Sequence, residues 1–294
     1  MVNKHDSLGE KLFDGFNYLF LALFALITLL PFLYIVSASL ATEAEITERG
    51  VFLIPRQLSY GAYQYIMSSS TIFRSMGVSM FITVVGTITN LAFTLTMAYA
   101  LSRRSLYGRN VVMNLVIFTI LFSGGLIPSY LVVKELGLIN SYAAVILPGA
   151  ISAFNLIIIK NFFQELPPGL EESARIDGCN DLGVLWRIVL PLSKPVIATF
   201  GLFYAVGHWN NFFTAMLYLN DHTKWPLQVM LREIVMLSQL SVGDMNNLDQ
   251  NFVKPPEQSV KMAVIVFGTL PIMLVYPFLQ KHFAKGVLLG SIKG

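Results

Sequence analysis

Long stretches without charge constrain this chain more than any other feature of its sequence. A membrane-spanning helix needs about 20 predominantly apolar residues. Six stretches of about that length or more contain no Asp, Glu, Lys or Arg: 15–42, 75–102, 110–133, 136–159, 195–220 and 262–280. The pattern predicts an all-α polytopic membrane protein with six transmembrane helices, forming a single transmembrane domain over residues 1–294.

The composition supports this fold class. Hydrophobic residues make up 55% of the chain and charged residues 13%, where soluble domains carry about 25% charged residues. A soluble fold with so few charges would expose a large, aggregation-prone apolar surface. We therefore exclude a disordered chain and an ordinary soluble enzyme.

Two further features exclude other classes of protein. The single cysteine, Cys179, excludes an internal disulfide. No run of basic residues is longer than two, so we expect no nucleic-acid partner.

Three boundaries need interpretation. Residues 57–73 also lack charge, but they are short and rich in polar side chains, which is typical of an interfacial segment. The third and fourth stretches are separated by Lys134 and Glu135, and a turn is expected near Gly137–Asn140. The sequence Ser39-Leu40-Ala41 resembles a signal-peptide cleavage site, but the apolar run before it exceeds the usual signal core of roughly 7–15 residues. A retained first helix is favoured.

The distribution of basic residues predicts the orientation. With both termini in the cytoplasm, the inner segments hold 12 of the 20 lysine and arginine residues. The short loop 102–110 is plainly basic, as expected for a cytoplasmic loop. We expect a multi-pass plasma-membrane protein with both termini, including a tail over 281–294, in the cytoplasm.

The spans contain no obvious energy source. Ion-coupled carriers place ionisable side chains within the membrane, and among such residues only His208 falls inside a predicted span. A phosphate-binding loop needs Gly-Lys followed by Ser or Thr, and the chain has no Gly-Lys dipeptide. We therefore expect that a partner supplies the energy and that this chain binds no cofactor. We also expect no metal site, because the four histidines are scattered along the sequence.

The loop 165–191 has the pattern of two short helices. Pro167 and Pro168 suit a helix start, Gly178 suits a helix end, and Asn180 or Asp181 can cap a second helix that Pro191 ends. One apolar stripe is predicted on the second helix: Leu182, Leu185, Trp186 and Val189. The local pattern fits an amphipathic connector on the membrane face and a docking surface for a cytoplasmic partner equally well.

A family resemblance favours the docking surface. Glu172-Ser173-Ala174, Asp177-Gly178 and Ile188-Val189-Leu190-Pro191 resemble the signature of permease subunits of bacterial ATP-binding-cassette importers. Serine replaces an alanine at Ser173, and Cys179 also replaces a common alanine. The resemblance extends to 99–103, Trp209-Asn210 and the tail, which are similar to the carbohydrate-uptake branch. Within it, the chain looks like maltose-type permeases with an exposed C-terminal tail, and like Gram-positive permeases for pectin-like or other complex oligosaccharides.

The resemblance implies a type I importer permease fold with a cytoplasmic coupling helix. It implies a heterodimer with a second permease, two ATPase subunits that bind ATP and Mg, and an extracellular solute-binding protein that delivers an oligosaccharide. The chain itself would catalyse no reaction. The residues implied to dock on an ATPase subunit are Glu172, Ser173, Ala174, Asp177, Gly178, Leu190 and Pro191, and those implied to dock through the tail are Gly290, Ser291 and Lys293.

Polar faces of two spans predict a translocation path. On the fifth span, one helical face carries Tyr204, His208, Asn211, Thr214 and Tyr218, and on the third span the polar residues are Ser123, Ser129 and Tyr130. Polar side chains in lipid turn toward protein or water, so these faces line a path or join helices to one another. Gly124-Gly125 and Pro128 predict a broken third helix, which is typical of a substrate site.

The long loop 221–258 is predicted to be partly helical and to contact the external solute-binding protein.

Two alternative functions need residues of their own. A stand-alone secondary carrier of a small polar solute would need an intramembrane coupling charge, and an intramembrane serine protease would need a serine paired with His208. Neither feature is evident in the sequence.

Overall fold

A computed structural model describes residues 8–237 and 258–291, with the backbone alone at Leu8, Glu10, Pro168, Leu237 and 278–291. Within these residues all regular structure is helical, which confirms the all-α class. The α-helices are α1 Leu8–Ser39, α2 Glu43–Arg49, α3 Gly61–Ser68, α4 Ser70–Ser102, α5 Arg109–Leu121, α6 Leu126–Glu135, α7 Tyr142–Ile146, α8 Ala153–Glu165, α9 Pro168–Ile176, α10 Asp181–Val184, α11 Leu190–Leu192, α12 Lys194–Trp209, α13 Phe213–Tyr218, α14 Leu227–Leu237 and α15 Gln258–Ser291.

The described helices do not reproduce the predicted count of six spans. Three helical segments are long and apolar enough to cross a membrane: Lys11–Ser39, Ser70–Ser102 and Gln258–Pro277. Two bent pairs raise the number to as many as 5 if each pair is one span. The pairs are Tyr142–Gly149 with Ala153–Glu165, bent by 52°, and Asp181–Leu192 with Lys194–Trp209, bent by 85°.

Breaks inside the predicted spans explain the difference. The third stretch divides into α5 and α6, and between them Gly125 has a φ of +83°, which glycine adopts without strain. This confirms the predicted break near Gly124 and Pro128. The fifth stretch divides at Asn210–Phe212 into α12 and α13. A run of apolar residues predicts membrane residence, but it does not require one continuous helix.

Two positive φ angles mark the turn between the third and fourth stretches. Gly137 has a φ of +68° and Asn140 a φ of +62°. Asparagine tolerates this left-handed conformation better than most residues. The predicted boundary at Gly137–Asn140 is therefore confirmed. The predicted interfacial segment 57–73 contains α3, and its last residues begin α4.

The chain forms two compact units, and we describe each by itself. Unit 1 comprises residues 1–70 and 231–269, and unit 2 comprises 71–230 and 270–294. In unit 1, the end of α1 packs with α2 and the loop after it through an apolar cluster: Ala38, Ala41, Ile46 and Phe52. The prediction of a single domain over 1–294 stays a prediction.

A buried carboxylate fixes the loop that follows α2. Glu45 is 7% exposed, and its two oxygens accept hydrogen bonds from the backbone N–H groups of Arg56 at 2.8 Å and Gln57 at 3.4 Å. Arg49 forms an ion pair with the same carboxylate. The Arg56 N–H, more than any other group, lowers the pKa of Glu45 below its ordinary value.

The loop should therefore loosen in acid. Because the folded-state pKa of Glu45 is lowered, its stabilising contribution is present above the unfolded-state value and is lost as the pH falls below about 4. Hydrogen exchange of the 50–60 segment, corrected for intrinsic rates, should show protected Arg56 and Gln57 amides at neutral pH and unprotected ones in acid. Glu45→Gln should flatten this dependence. Glu48→Gln, on the exposed side of α2, should retain it, and equal curves for both variants would contradict the assignment.

Unit 2 is organised along α4, which runs unbroken from Ser70 to Ser102. An apolar cluster lies at each end of this helix. The N-end cluster consists of Val78, Ile82, Val145, Ile146, Ala215, Leu219 and Val229. The C-end cluster consists of Leu95, Ala98, Tyr99, Leu101, Val116, Leu156, Ile159, Phe163, Ala174, Val184, Leu185, Val189, Val196 and Phe200.

Candidate functional site

The first helix of the 165–191 loop has the predicted start and end. α9 begins at Pro168, whose missing N–H costs nothing in the first turn. At its end, Cys179 N–H donates to the Ala174 carbonyl at 2.9 Å, and Gly178 N–H donates to the Arg175 carbonyl at 3.0 Å. With Gly178 at a φ of +83°, this is a Schellman motif. The chain therefore reverses sharply at Gly178.

The second helix of the loop departs from the predicted form. Asn180 caps it, as one of the two predicted candidates, by accepting from Gly183 N–H at 2.8 Å. A π-helix over Leu185–Val189 follows, and the helical run continues past Pro191 to Leu192, so Pro191 does not end it. The 85° bend comes after Leu192 instead.

The π-helix also divides the predicted apolar stripe. Leu185 and Val189 are buried, whereas Leu182 and Trp186 are 64% and 67% exposed. A π-helix bonds residues five apart, so Val184 and Val189 fall on the same buried face. The expectation of one continuous stripe is therefore wrong. Trp186 and Leu182 instead extend an exposed apolar surface on the loop, together with Ile176, which is 86% exposed.

Packing and one ion pair attach this loop to α4. Ala174 and Leu185 belong to the C-end cluster, together with Tyr99 of α4. The Arg103 guanidinium, directly after α4, pairs with Glu171 of α9 and lies 4.1 Å from the centre of the Tyr99 ring. Burial lowers the pKa of Arg103, yet arginine stays charged at neutral pH. A force applied to α9 would therefore reach α4 through both apolar and ionic contacts.

Most residues predicted to dock on an ATPase subunit lie on the accessible side of the loop. The exposed members are Glu172, Ser173, Asp177, Gly178 and Pro191. Leu190 is half-buried. Ala174 is 5% exposed because it faces the C-end cluster. Sequence reasoning did not single out Ile176, although an isoleucine that ends an amphipathic helix is a usable signal.

The predicted tail site lies at the edge of the described residues. Gly290 and Ser291 belong to the backbone of α15. Lys293 lies outside the described residues. The predicted 221–258 loop is partly helical where it is described, with a 3₁₀ turn at His222–Lys224 followed by α14. Its residues 238–257 lie outside the described part.

The predicted path residues on the third span lie beside the break. The hydroxyl of Ser129 donates to the Gly125 carbonyl at 2.8 Å, and Gly125 N–H donates to the Ser123 hydroxyl at 3.3 Å. Both serines are exposed. The ring of Tyr130 stacks on Tyr218, with 6.0 Å between the ring centres. Tyr218 is only 3% exposed, so its polar atom contributes little free surface.

The predicted residues of the fifth span do not share one open face. Asn211 lies in the break, where its side chain accepts from the Thr214 N–H at 3.1 Å. Tyr204 and His208 instead make hydrogen bonds to α4. The Tyr204 hydroxyl lies 2.8 Å from the hydroxyl of Thr94, and His208 Nε2 lies 2.8 Å from Asn90 Oδ1. For Tyr204 and His208 the structure therefore shows the second of the two predicted roles, a polar contact between helices, and not the lining of an open path.

These contacts form a polar layer between the two apolar clusters of unit 2. Asn90 is 2% exposed and also donates from Nδ2 to the Gly149 carbonyl at 2.7 Å. We define the polar layer as Asn90, Thr94, Gly149, Tyr204 and His208. Sequence reasoning missed Asn90 and Thr94. The available signal was the polar or small residue recurring every three to four positions along α4: Ser75, Ser79, Thr83, Gly86, Asn90 and Thr94.

Gly86 makes room for the histidine of this layer. A Cβ atom added at Gly86 would lie 2.5 Å from His208 Nε2, well inside contact distance. Gly86→Ala should therefore displace the ring and destabilise unit 2 by about 1–3 kcal/mol. The matched control is Gly77→Ala on the same helix, where an added Cβ would meet nothing within 4 Å. Thermal unfolding of the purified protein should separate the two variants, and equal unfolding temperatures would contradict the close approach.

An apolar cavity of about 650 Å³ lies elsewhere in unit 2. It is lined by α4, α12 and α15, with Trp209 and Tyr276 among its walls. Its lining is almost wholly apolar, which does not suit a sugar. Among the described residues, no three His, Cys, Asp or Glu side chains form a group that could hold a metal ion.

Broken apolar helices beside an exposed two-helix loop are the arrangement expected of a membrane permease of a solute-transport system. The chain belongs to the family described as binding-protein-dependent transport system inner membrane component, whose profile matches residues 1–289. It is therefore a multi-pass membrane protein and a permease component of an ATP-binding-cassette importer, rather than a secondary carrier.

Similar proteins cover nearly the whole chain. Protein LplC of Bacillus subtilis (strain 168) is 61% identical over 99% of this chain and 98% of that protein. The polygalacturonan/rhamnogalacturonan transport system permease protein YtcP of the same organism is 58% identical over 98% of this chain and 100% of that protein. A solved bacterial ABC transporter involved in the import of the acidic polysaccharide alginate is similar in structure, with a TM-score of 0.87 and 35% identity over 96% of this chain and 100% of that chain.

Proposed function

We propose that this chain is the permease subunit that passes oligosaccharides across the plasma membrane, in a heterodimer with a second permease. An extracellular solute-binding protein delivers the sugar, and two ATPase subunits supply the energy. ATP and Mg bind to those partners, and this chain holds no cofactor and hydrolyses no ATP itself. Both termini lie in the cytoplasm, on the side of the ATPase subunits. The observation that carries the proposal is the exposed 165–191 loop, anchored to α4 yet open on its far side.

The loop is suited to transmit motion. Glu172, Ser173 and Asp177 offer polar groups on the exposed side, and Ile176 and Trp186 offer apolar area that a protein partner would bury. The opposite side belongs to the C-end cluster, which also contains residues of α4, α8 and α12. Packed apolar clusters are stiff, so displacement of the loop would move these helices together. The tail residues Gly290, Ser291 and Lys293 would provide a second contact with the ATPase subunits.

The names of similar proteins support a proposal for the substrate class. One relative is named for polygalacturonan and rhamnogalacturonan, and the similar solved structure is named for alginate, an acidic polysaccharide. We propose a uronic-acid-containing, pectin-like oligosaccharide. Ser123, Ser129, Tyr130, Asn211 and Thr214 are the residues proposed to line its path, since they offer hydroxyl and amide groups beside the breaks of the third and fifth spans.

Co-purification and uptake test this function together. The tagged chain, extracted from native membranes in mild detergent, should bring down an ATPase, a second permease and a solute-binding protein, identified by mass spectrometry. The recovered binding protein should bind galacturonic acid trimers more tightly than arabinose trimers. If the chain is recovered alone or only with itself, the importer assembly is contradicted. If the assembly is recovered but prefers the neutral trimers, only the acidic substrate class is contradicted.

A further inference from the structure

The polar layer joins three helical elements at one level of unit 2. Asn90 lies on α4, Gly149 ends the 3₁₀ turn after α7, and His208 lies in the last turn of α12. Asn90 contacts both others, at 2.7 Å to the Gly149 carbonyl and 2.8 Å to His208 Nε2. One turn along α4, Thr94 contacts Tyr204, whose hydroxyl also lies 3.5 Å from the Ser152 N–H.

Two of the three elements are broken at this level. The fourth span bends by 52° between Gly149 and Ala153. The fifth span breaks directly after α12, within three residues of His208. α4 alone among the three passes through the layer unbroken. The free carbonyl that the break leaves at Gly149 is the group that Asn90 satisfies.

Apolar packing divides the same elements into two halves. α7 and α13 contribute Val145 and Ala215 to the N-end cluster. α8 and α12 contribute Leu156 and Phe200 to the C-end cluster. Each half is therefore held together by close-packed side chains, whereas the breaks between the halves are joined by the hydrogen bonds of the polar layer.

The layer is held by a few hydrogen bonds, whereas the clusters beside it are held by close-packed apolar side chains. The buried hydroxyls of Thr83 and Thr87, on α4 next to the layer, have no hydrogen-bond partner among the described residues. A level that is joined by a few hydrogen bonds and has few buried apolar contacts opens more readily than a close-packed apolar core. A relative motion of the two halves would therefore concentrate at this level.

We propose that Asn90 and His208 are positioning residues for transport, which hold the two helix breaks in register on α4 while the α7–α13 half turns against the α8–α12 half. The inference rests on the proposed function, because it assigns these residues to the conformational change of an importer. Because the amide nitrogen of Asn90 donates to the Gly149 carbonyl, the atom that faces His208 is Oδ1, which can only accept. His208 Nε2 must therefore donate, and the position needs a side chain with an N–H group.

The test measures uptake and ATP hydrolysis on the same preparation. The complete complex, reconstituted with its binding protein in proteoliposomes, is supplied with labelled galacturonic acid trimers. His208→Met removes the donor at similar size, and His208→Gln retains one. Asn90→Leu removes that bond from the other side and also removes the 2.7 Å bond to the Gly149 carbonyl. Asn90→Leu/His208→Met removes both side chains. Ser79→Ala is the matched control, because it removes one buried hydrogen bond on the same helix, the 2.8 Å bond from Leu227 N–H, outside the layer.

We expect His208→Met and Asn90→Leu to lower uptake about tenfold while ATP hydrolysis stays within about twofold of the wild type, which uncouples the two rates. His208→Gln should recover uptake to within about threefold. The double variant should be no worse than Asn90→Leu, since Asn90→Leu already removes the bond to His208 as well as the bond to Gly149. Ser79→Ala should lower thermal stability to a similar extent and keep the ratio of uptake to hydrolysis.

Three results would overturn the inference. They are a proportional fall of uptake and hydrolysis, an equal loss of coupling in Ser79→Ala, and a His208→Gln variant no better than His208→Met. If a variant does not assemble, the ratios of uptake to ATP hydrolysis in His208→Gln and Asn90→Leu, each compared with the ratio in Ser79→Ala, still test the inference. The wild type reports on the proposed function separately, because a wild-type complex that takes up no oligosaccharide contradicts that function, whereas normal wild-type uptake with coupled variants contradicts only the roles of Asn90 and His208.

Discussion

Replacing Gly178 with valine should remove the ATPase subunits from the purified complex and lower transport at least tenfold. Gly178 has a φ of +83°, and a β-branched residue in this left-handed conformation is strained by about 1–2 kcal/mol or more. The strain would be relieved by opening the Schellman motif, which would redirect α9 relative to the following helix. The proposed docking surface lies on both sides of this turn, so its two parts would no longer match one partner. Co-purification quantified by mass spectrometry, with uptake in parallel, measures the effect.

A second glycine provides the control for Gly178. Gly108 has a φ of +74°, and an added Cβ at either glycine would meet nothing within 4 Å. Gly108→Val therefore introduces similar backbone strain at the start of α5, outside the 165–191 loop, and should retain the ATPase subunits. Gly178→Asn should be milder than valine, because asparagine tolerates this conformation. An equal loss in Gly108→Val would indicate general damage to the fold, and a Gly178→Val complex with full ATPase content would contradict the docking site.

Reversing the charge of Arg103 should have the second-largest effect. The side chains of Arg103 and Glu171 are 23% and 13% exposed, so their ion pair is largely buried. Arg103→Glu would place two carboxylates side by side, and breaking a buried pair costs about 3–5 kcal/mol. We expect a lower unfolding temperature and a loss of coupling, because α9 would separate from the end of α4. Thermal unfolding and the ratio of uptake to ATP hydrolysis measure the two consequences.

Two further variants isolate the ion pair. Arg103→Glu/Glu171→Arg exchanges the partners and should restore much of the stability that the single reversal removes. The Arg175–Asp181 pair is the control in the same loop, with its atoms 2.6 Å apart but its side chains 53% and 71% exposed. Arg175→Glu should cost less than about 1 kcal/mol, as exposed pairs do. If Arg175→Glu is as harmful as Arg103→Glu, the effect comes from net charge in the loop and not from the buried pair.

Predictions from capping, glycine and proline preferences were confirmed where the conformation of a segment depends only on residues close in sequence. Pro168 at the start of α9, Gly178 after it and Asn180 as the next cap each depend on backbone geometry within a few residues, and each is found as predicted. The broken third span followed from Gly124, Gly125 and Pro128 for the same reason. The sequence motif around Glu172 to Pro191 also placed the chain in its family, which the profile match over residues 1–289 confirms.

The wrong predictions concern residues whose conformation depends on packing against neighbouring segments. The predicted stripe with Leu182 and Trp186 failed because a π-helix turned Val184 and Val189 toward the C-end cluster. Pro191 was expected to end a helix that in fact runs to Leu192 before the 85° bend. The count of six transmembrane helices stays a prediction: three described helices qualify as spans, or as many as 5 with the bent pairs, since a stretch can break wherever a neighbouring helix satisfies the freed backbone groups.

The sequence by itself determined that the chain lies in a membrane, that it is helical, and that its 165–191 loop carries the signature of an importer permease. These conclusions follow from hydropathy, from backbone preferences and from a motif, all of which are local. Only the tertiary structure decided that Tyr204 and His208 contact α4, because a helical face predicts which side chains lie together but not what they face. It also showed why Gly86 is small and what Asn90 bonds, since both depend on α4, the Gly149 break and α12 meeting at one level.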